Sequence, residues 1–143
     1  TGFPSNSKSK HFKHQQNRIS KLSLGKESSI TKKHHLDCTS EISIGNFTTI
    51  AGYDTQFLTH SVNIHECIQD SHPVNIGDYC FVGTNCVILG GASLPSFSVL
   101  GAKSLLNKKF THQYMLYGGV NAKALKPIDK SAKYFHRDTR III

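Results

Sequence analysis

An all-β solenoid of short stacked strands is the fold this sequence predicts, and three observations predict it. An aliphatic residue recurs every six positions through "IGDYCFVGTNCVILGGASLPSFSVLGAKSLL": Ile76, Val82, Ile88, Leu94, Leu100 and Leu106. A small residue stands two places before each of the last five, at Cys80, Cys86, Ala92, Ser98 and Ser104. Glycine follows the aliphatic residue at Gly77, Gly83 and Gly101, while Leu89 and Pro95 hold that slot in the other two units.

The period has a physical reading. A small and an aliphatic residue separated by one outward position give the two-residue periodicity of a strand. The glycine-rich stretch then supplies a turn, because glycine accepts unusual backbone angles at little cost. Short strands joined by regular corners stack so that each rung buries the face of the one before. A helix fits neither the period nor the frequency of Gly, Asn and Ser.

Taken in order, residues 1–23 read as a basic, solvated N-terminal arm. Hexads begin at Leu24 and continue through Ile30, Leu36 and Ile42; after a two-residue shift they resume at Ile44 and Ile50. The rhythm then fails at "AGYDTQFLTHS". Kept in strict phase, Gln56 would fall in the aliphatic slot and His60 would point inward, and a buried amide needs hydrogen-bond partners. Slipped by one, Thr55, Phe57 and Thr59 face inward and Gln56, Leu58 and His60 face outward. This phase predicts a bulge or wide turn near "AGYDT" and an outward His60. Residues 61–73 match no hexad and read as a loop projecting from the solenoid, where functional residues concentrate. The repeat restarts at "VNIG" and runs to residue 106. Residues 107–143 form a C-terminal extension, with a short helix expected in "PIDKSAKYFHRD", capped by Asp129.

Charge narrows the function. The 143 residues carry a net charge of +8, unevenly placed. Residues 1–35 hold eight Lys/Arg and one acid, residues 103–143 nine and two, and residues 36–102 none and six. A nucleic-acid binder spreads basic residues over a folded face and adds stacking aromatics, so no nucleic-acid partner is expected. No apolar run reaches the roughly 18 residues of a spanning helix, so no integral membrane segment is expected. The polar N-terminus lacks the apolar core of a secretory signal, which makes the cytoplasm the expected address. The four cysteines have no Cys-x-x-Cys spacing; Cys80 and Cys86 read as small core residues.

The hexads carry a resemblance. Over residues 24 to about 126 the chain resembles the hexapeptide-repeat acyltransferases, whose unit is an aliphatic residue, Gly or similar, two free positions, a small residue and one more. The stretches that carry it are "IGNFTTIAGYDTQFLTHS", "IGDYCFVGTNCVILGG" and "YGGVNAKALK". The resemblance implies a left-handed parallel β-helix with three hexads per triangular coil. The hand comes from the family alone, since parallel crossovers are normally right-handed. Within the family the chain is most similar to sugar O-acetyltransferases of polysaccharide assembly.

The resemblance implies a chemistry and its residues. The family's catalytic histidine lies in a "TH" step before a projecting loop, which matches Thr59-His60. His60 would be the general base that takes the proton from a saccharide hydroxyl as its oxygen attacks the acetyl thioester of acetyl-CoA. Neutral imidazole suits that task, with an ordinary pKa of about 6.5. Thr84, through its backbone N–H or hydroxyl, matches the donor to the developing oxyanion. Asp54, Glu66 and Asp70 are candidates to orient the imidazole. Acetyl-CoA would run past Phe81, Gly83, Gly101, Ala102 and Lys103, with Lys108 near the adenine end and Lys123 and Lys126 for the 3′-phosphate. Phe81 stands where the family usually has Trp, and Lys103 where it has Gly. "GGVNAK" departs from the usual "GNPAK" at Val120 and Asn121.

The family also implies a homotrimer with its sites between subunits, in keeping with the outward apolar residues Phe81, Val87, Val99 and Leu105. No metal is expected: hexapeptide carbonic anhydrases ligate zinc in a "GHxxxxH"-like run, and "GTNCVIL" carries Thr84 and Leu89 there. His60, His65 and His72 are the one looser set that could gather around a metal. Two other readings stay open: N-acetylation of an amino-sugar nucleotide, and a catalytically silent structural subunit.

Overall fold

A computed structural model describes residues 9–143, and it is a parallel β-helix of triangular coils. The first coil comprises β1 (Leu22–Leu24), β2 (Ser29–Ile30) and β3 (His35–Asp37). The second comprises β4 (Ile42–Ile44), β5 (Thr49–Ile50) and β6 (Gln56–Leu58). A hairpin of β7 (His60–Asn63) and β8 (Ile68–Ser71) interrupts the winding. The third coil follows as β9 (Val74–Ile76), β10 (Phe81–Val82) and β11 (Val87–Leu89), and the fourth as β12 (Ser93–Leu94), β13 (Val99–Leu100) and β14 (Leu105–Leu106). β15 (Met115–Gly118) adds one more rung beside β13, and β16 (Lys123–Pro127) folds back antiparallel along it.

Three faces result. The first is β1-β4-β9-β12, the second β2-β5-β10-β13-β15-β16 and the third β3-β6-β11-β14. Register follows the hexads: Val82 lies between Ile50 and Leu100, and Ile88 between Phe57 and Leu106. Ile42, Ile50, Phe57, Val82, Ile88, Leu100 and Leu106 are fully buried, as are Cys80 and Cys86. Burying each large aliphatic side chain contributes about 1.5–3 kcal/mol. The small inward slot tolerates hydroxyls because they bond the corner above. Thr48 Oγ1 donates to Gly77 O at 2.7 Å and accepts from Cys80 N at 3.0 Å.

Glycine's role at the corners differs from the sequence reading. Gly45 and Gly83 hold the first corner position for want of space: a Cβ on Gly83 would lie 2.7 Å from Ala102 N. The left-handed backbone falls two residues later, on side-chain-bearing residues. At the corner joining the first and second faces these are Glu27, Phe47, Tyr79, Phe97 and Tyr114, with φ of 51–58°. That conformation costs about 1–2 kcal/mol per residue. Here the rings Phe47, Tyr79, Phe97 and Tyr114 stack with centroids 4.7, 5.4 and 5.0 Å apart, which returns about 0.5–1.5 kcal/mol per contact.

The phase slip is as expected. Phe57 stands seven positions after Ile50, where Ile88 stands six after Val82. The extra residue widens the corner at 51–55, with φ of +70° at Gly52 and +58° at Asp54. Thr55, Phe57 and Thr59 are fully buried. The projecting loop is an ordered two-stranded hairpin, with His60 opposite Ser71.

Two expectations need correction. The described part of the N-terminal arm keeps its lysines exposed but is anchored to the body rather than solvated throughout. A 3₁₀ turn at Lys10–Phe12 buries Phe12, and Gln15 donates to Asp70 Oδ1 at 2.9 Å and Ser71 O at 3.0 Å. Charge composition alone missed these anchors; residues 1–8 of the proposed arm lie outside the described residues. The C-terminal helix is one 3₁₀ turn, Lys133–His136, and Asp129 does not cap it. Its carboxylate instead closes a turn onto Ser131 N and Oγ, both at 2.8 Å. The turn buries Phe135 against Phe97 and Tyr114. No helix among the described residues is long and apolar enough to cross a membrane.

Candidate active site

His60 opens the hairpin at the corner where the third face ends. The backbone there is tied to the coil below. Thr59 Oγ1 donates to Asp37 O at 2.6 Å and accepts from Ser40 N at 2.9 Å. Asp37 Oδ2 accepts from His60 N at 2.9 Å, while its Oδ1 accepts from Thr39 N and Oγ1. The half-buried imidazole meets Gln69 Oε1 at 2.5 Å through Nε2, and the ring of Phe12 edge-on at 6.2 Å. Phe12 in turn lies under the Arg18 guanidinium, 4.2 Å from the ring centroid.

The three candidate acids lie apart from one another. Asp54 stands in the wide corner beside His34, which burial pushes below the ordinary imidazole pKa and Asp54 partly restores. Glu66 is exposed in the hairpin turn, its N–H bonded to Asn63 Oδ1. Asp70 accepts from Gln15 and Ser71 N, and its Oδ2 lies 3.2 Å from His72 Nε2.

Thr84 occupies the opposite end of the third face, at the corner that follows the second. Its hydroxyl donates to Tyr53 O at 3.1 Å and accepts from Tyr53 N at 3.2 Å. The hydroxyl proton is therefore committed, whereas the Thr84 N–H has no hydrogen-bond partner among the described residues. Of the two donors the sequence left open, the backbone N–H is the one available to a ligand. Gly83, Gly101, Ala102 and Lys103 stack on the same corner, with Lys103 N donating to Thr84 O at 2.9 Å. Phe81 lies on the second face, edge-on to Tyr134 at 6.0 Å. Lys123 and Lys126 are exposed on β16 at the end of that face. Lys108 is exposed on the His60 side, just after β14. Within one chain, therefore, His60 and Thr84 sit on different corners, with the width of the third face between them.

Two clefts flank the third face. One of about 350 Å³ lies between residues 14–19 and the His60 corner, lined by His14, Gln15, Arg18, Glu41 and Ser71 among others. The other, about 470 Å³, lies toward the wide corner and includes Lys33, His35, Asp54 and Gln56. Among the described residues no three His, Cys, Asp or Glu side chains converge to hold a metal ion.

The residues that surround His60 were only partly readable. Asp37 had a signal, since "DCT" in the coil before is an Asx-turn pattern at the strand end. Gln69 had none, because its approach depends on hairpin register. Phe12 had none, because the arm has no period.

The fold is the left-handed parallel β-helix, shared with hexapeptide-repeat acetyltransferases of known structure. The solved structures it is similar to include acetyltransferases and an N-acyltransferase. A hexapeptide-repeat-containing acetyltransferase from Vibrio cholerae is 26% identical, with a TM-score of 0.71 over 76% of this chain and 64% of that one. The same protein complexed with acetyl coenzyme A superposes with a TM-score of 0.70, over 76% of this chain and 61% of that one, also at 26% identity. A maltose O-acetyltransferase from Clostridium difficile 630 is 21% identical, with a TM-score of 0.65 over 76% of this chain and 71% of that one. The chain thus spans less than two thirds of the Vibrio protein's length. No family model matches the chain, and no curated protein matches it in sequence.

Proposed function

We propose that the chain is an acetyl-CoA-dependent O-acetyltransferase that modifies a saccharide hydroxyl in the assembly of surface polysaccharide. The observation that carries this reading is His60: outward, half-buried and held by Asp37 and Gln69 at the corner where the hairpin leaves the coil. The similarity to an acetyltransferase solved with acetyl-CoA supports the donor.

In the proposed reaction His60 takes the proton of the acceptor hydroxyl as that oxygen bonds to the thioester carbonyl carbon. The carbonyl oxygen becomes an oxyanion facing the Thr84 N–H. Its collapse breaks the C–S bond, the imidazolium returns the proton to the CoA sulfur, and acetyl ester and CoA leave. General base catalysis of this kind is worth about 10²–10⁴-fold.

The two corners require a second copy. A contact between unlike corners is heterologous, and it closes into a ring when the rotation permits. In a homotrimer the His60 corner of one copy would face the Thr84 corner of the next. Lys108 of the first and Lys123 and Lys126 of the second would then border one groove, where exposed lysines suit CoA phosphates. Lys103 stands on that rim, and Phe81 on the face leading to it. Exposed Cys67 and the other free cysteines fit a reducing compartment, so the cytoplasm is the proposed location.

The test is thiol release from acetyl-CoA with a panel of oligosaccharide acceptors, for wild type and His60→Ala, alongside calorimetric binding of acetyl-CoA and sedimentation. The expected result is a trimer in which both forms bind acetyl-CoA and His60→Ala loses at least about 10²-fold in turnover. Undiminished turnover by His60→Ala removes the base; no acetyl-CoA binding by either form removes the enzyme and leaves a structural subunit. Mild alkali cleaves an O-acetyl product and spares an N-acetyl one.

A further inference from the structure

We infer that His34 is a positioning residue for the corner that carries Thr84: its neutral imidazole ties together the two ends of the wide corner at 51–55, and an added proton breaks that tie. This deepens the proposed reaction and rests on the reading of the Thr84 N–H as the oxyanion donor.

The tie is a chain of hydrogen bonds. Thr55 N donates to His34 Nδ1 at 3.2 Å. A backbone N–H can only donate, so Nδ1 carries no proton and the neutral ring has its proton on Nε2. Nε2 then donates to Thr31 Oγ1 at 2.9 Å, and that hydroxyl shares its own proton between Ile50 O at 3.1 Å and Gly52 O at 2.5 Å. His34 thus holds Thr55 with one nitrogen and, through Thr31, Gly52 with the other. The Thr84 corner rests on the same two residues. Thr55 Oγ1 donates to Gly83 O at 3.4 Å and accepts from Cys86 N at 3.2 Å. Gly52 lies against Thr84, whose hydroxyl holds both backbone groups of Tyr53.

A second proton on the ring has one place to go, Nδ1, and there it would face the Thr55 N–H. The bond must break, and because Thr55 is fully buried its N–H is left without an acceptor. The half-buried ring borders the cleft that includes Lys33, His35, Asp54 and Gln56, which gives the proton a path from solvent. Burial lowers the His34 pKa, and the charge of Asp54 opposes that shift. The folded value lies below the unfolded one. The tie is therefore complete above the ordinary pKa of about 6.5 and is lost as pH falls through the folded pKa. The other charged or titratable groups on the elements around the ring are Lys32 and Lys33 on its own corner, His35 and Asp37 on β3, Tyr53 on the wide corner, and Cys86 and Lys103 on the coils above.

The experiment is an NMR titration of the full chain from about pH 8 to about pH 5, the window in which imidazole titrates, for wild type, His34→Asn and His34→Ala. Asn places an amide oxygen where Nδ1 stands and does not titrate. In wild type the Thr55 amide should lose hydrogen-exchange protection as the His34 ring protonates, by at least about tenfold beyond the change in intrinsic rate. The Thr84 amide signal should move with the same midpoint. His34→Asn should keep Thr55 protected through the window, and His34→Ala should leave it unprotected at every pH. Thr55 protection that ignores the ring's titration, or the same pH response in His34→Asn, overturns the tie. A Thr84 signal that does not follow overturns the link to the site. In the transfer assay, one pH unit below the His34 midpoint about one molecule in ten stays neutral, so wild type should lose about tenfold more kcat than His34→Asn. Titration of His60 cancels in that ratio. At neutral pH His34→Asn should restore what His34→Ala loses. If no acceptor is ever acetylated, the Thr55 and Thr84 amides still answer, so the two readings fail separately.

Discussion

Replacing Gly52 by alanine tests the wide corner on which the proposed oxyanion donor depends. Gly52 has φ of +70°, and a Cβ there would lie 2.4 Å from both Cβ and Oγ1 of Thr84. Two costs follow. A non-glycine residue in the left-handed region loses about 1–2 kcal/mol. Thr84 must also move by about an ångström to reach an ordinary carbon contact of 3.5–4.0 Å. That displacement breaks both Thr84–Tyr53 hydrogen bonds, each worth about 0.5–1.5 kcal/mol. Gly52→Ala should therefore destabilise the chain by about 2–5 kcal/mol, read as a lower urea midpoint with an unchanged slope. Thr84→Gly removes the obstructing atoms, so the double variant should be more stable than the sum of the singles predicts, by at least about 1 kcal/mol. A Gly52→Ala protein within about 0.5 kcal/mol of wild type, or strictly additive variants, would refute the argument that these two residues are in contact.

Three further outcomes are expected. Tyr79→Ala removes the middle of the ring stack and the Tyr79 hydroxyl's bond to Arg137 O at 3.1 Å. It should cost about 2–4 kcal/mol in thermal unfolding and couple to Phe97→Ala. The Cys80 thiol is pushed up to about 12, chiefly by burial. Its folded pKa exceeds the unfolded value, so its contribution is full below about pH 9 and declines as pH rises toward 12. Across that window wild type should lose stability more steeply than Cys80→Ala, by up to about 1.4 kcal/mol per pH unit. Lys123→Glu with Lys126→Glu should weaken CoA binding about tenfold or more in calorimetry and leave dephospho-CoA binding almost unchanged; equal losses for both ligands would remove the 3′-phosphate assignment.

How much was legible depended on periodicity. From Ile76 to Leu106 every hexad position landed where the six-residue rhythm placed it, because each rung contacts only its neighbours and the pattern is local. The slip at Ile50–Phe57 was legible for the same reason: burying Gln56 was implausible, burying Phe57 was not. The side chains that enclose His60 were not legible. Gln69 reaches it through an antiparallel register, and Phe12 through a contact across nearly fifty positions of sequence. Neither leaves a trace in a local pattern. β16 was missed similarly, since "KALKP" is exposed along its whole length and shows no alternation of burial.

The second face steps from β5 through β10 and β13 to β15, one strand spacing at a time, before β16 closes it. With about 4.8 Å per step, four steps carry the face about 19 Å from the coil that ends at His60 to β16, which bears Lys123 and Lys126. Height along this axis is quantised. Adding or removing one eighteen-residue coil between Ile76 and Leu94 would change the span by one unit and leave each corner facing the same way. The solenoid thus works as a ruler, and the distance between the level of the terminal lysines and that of the histidine is written in its number of turns.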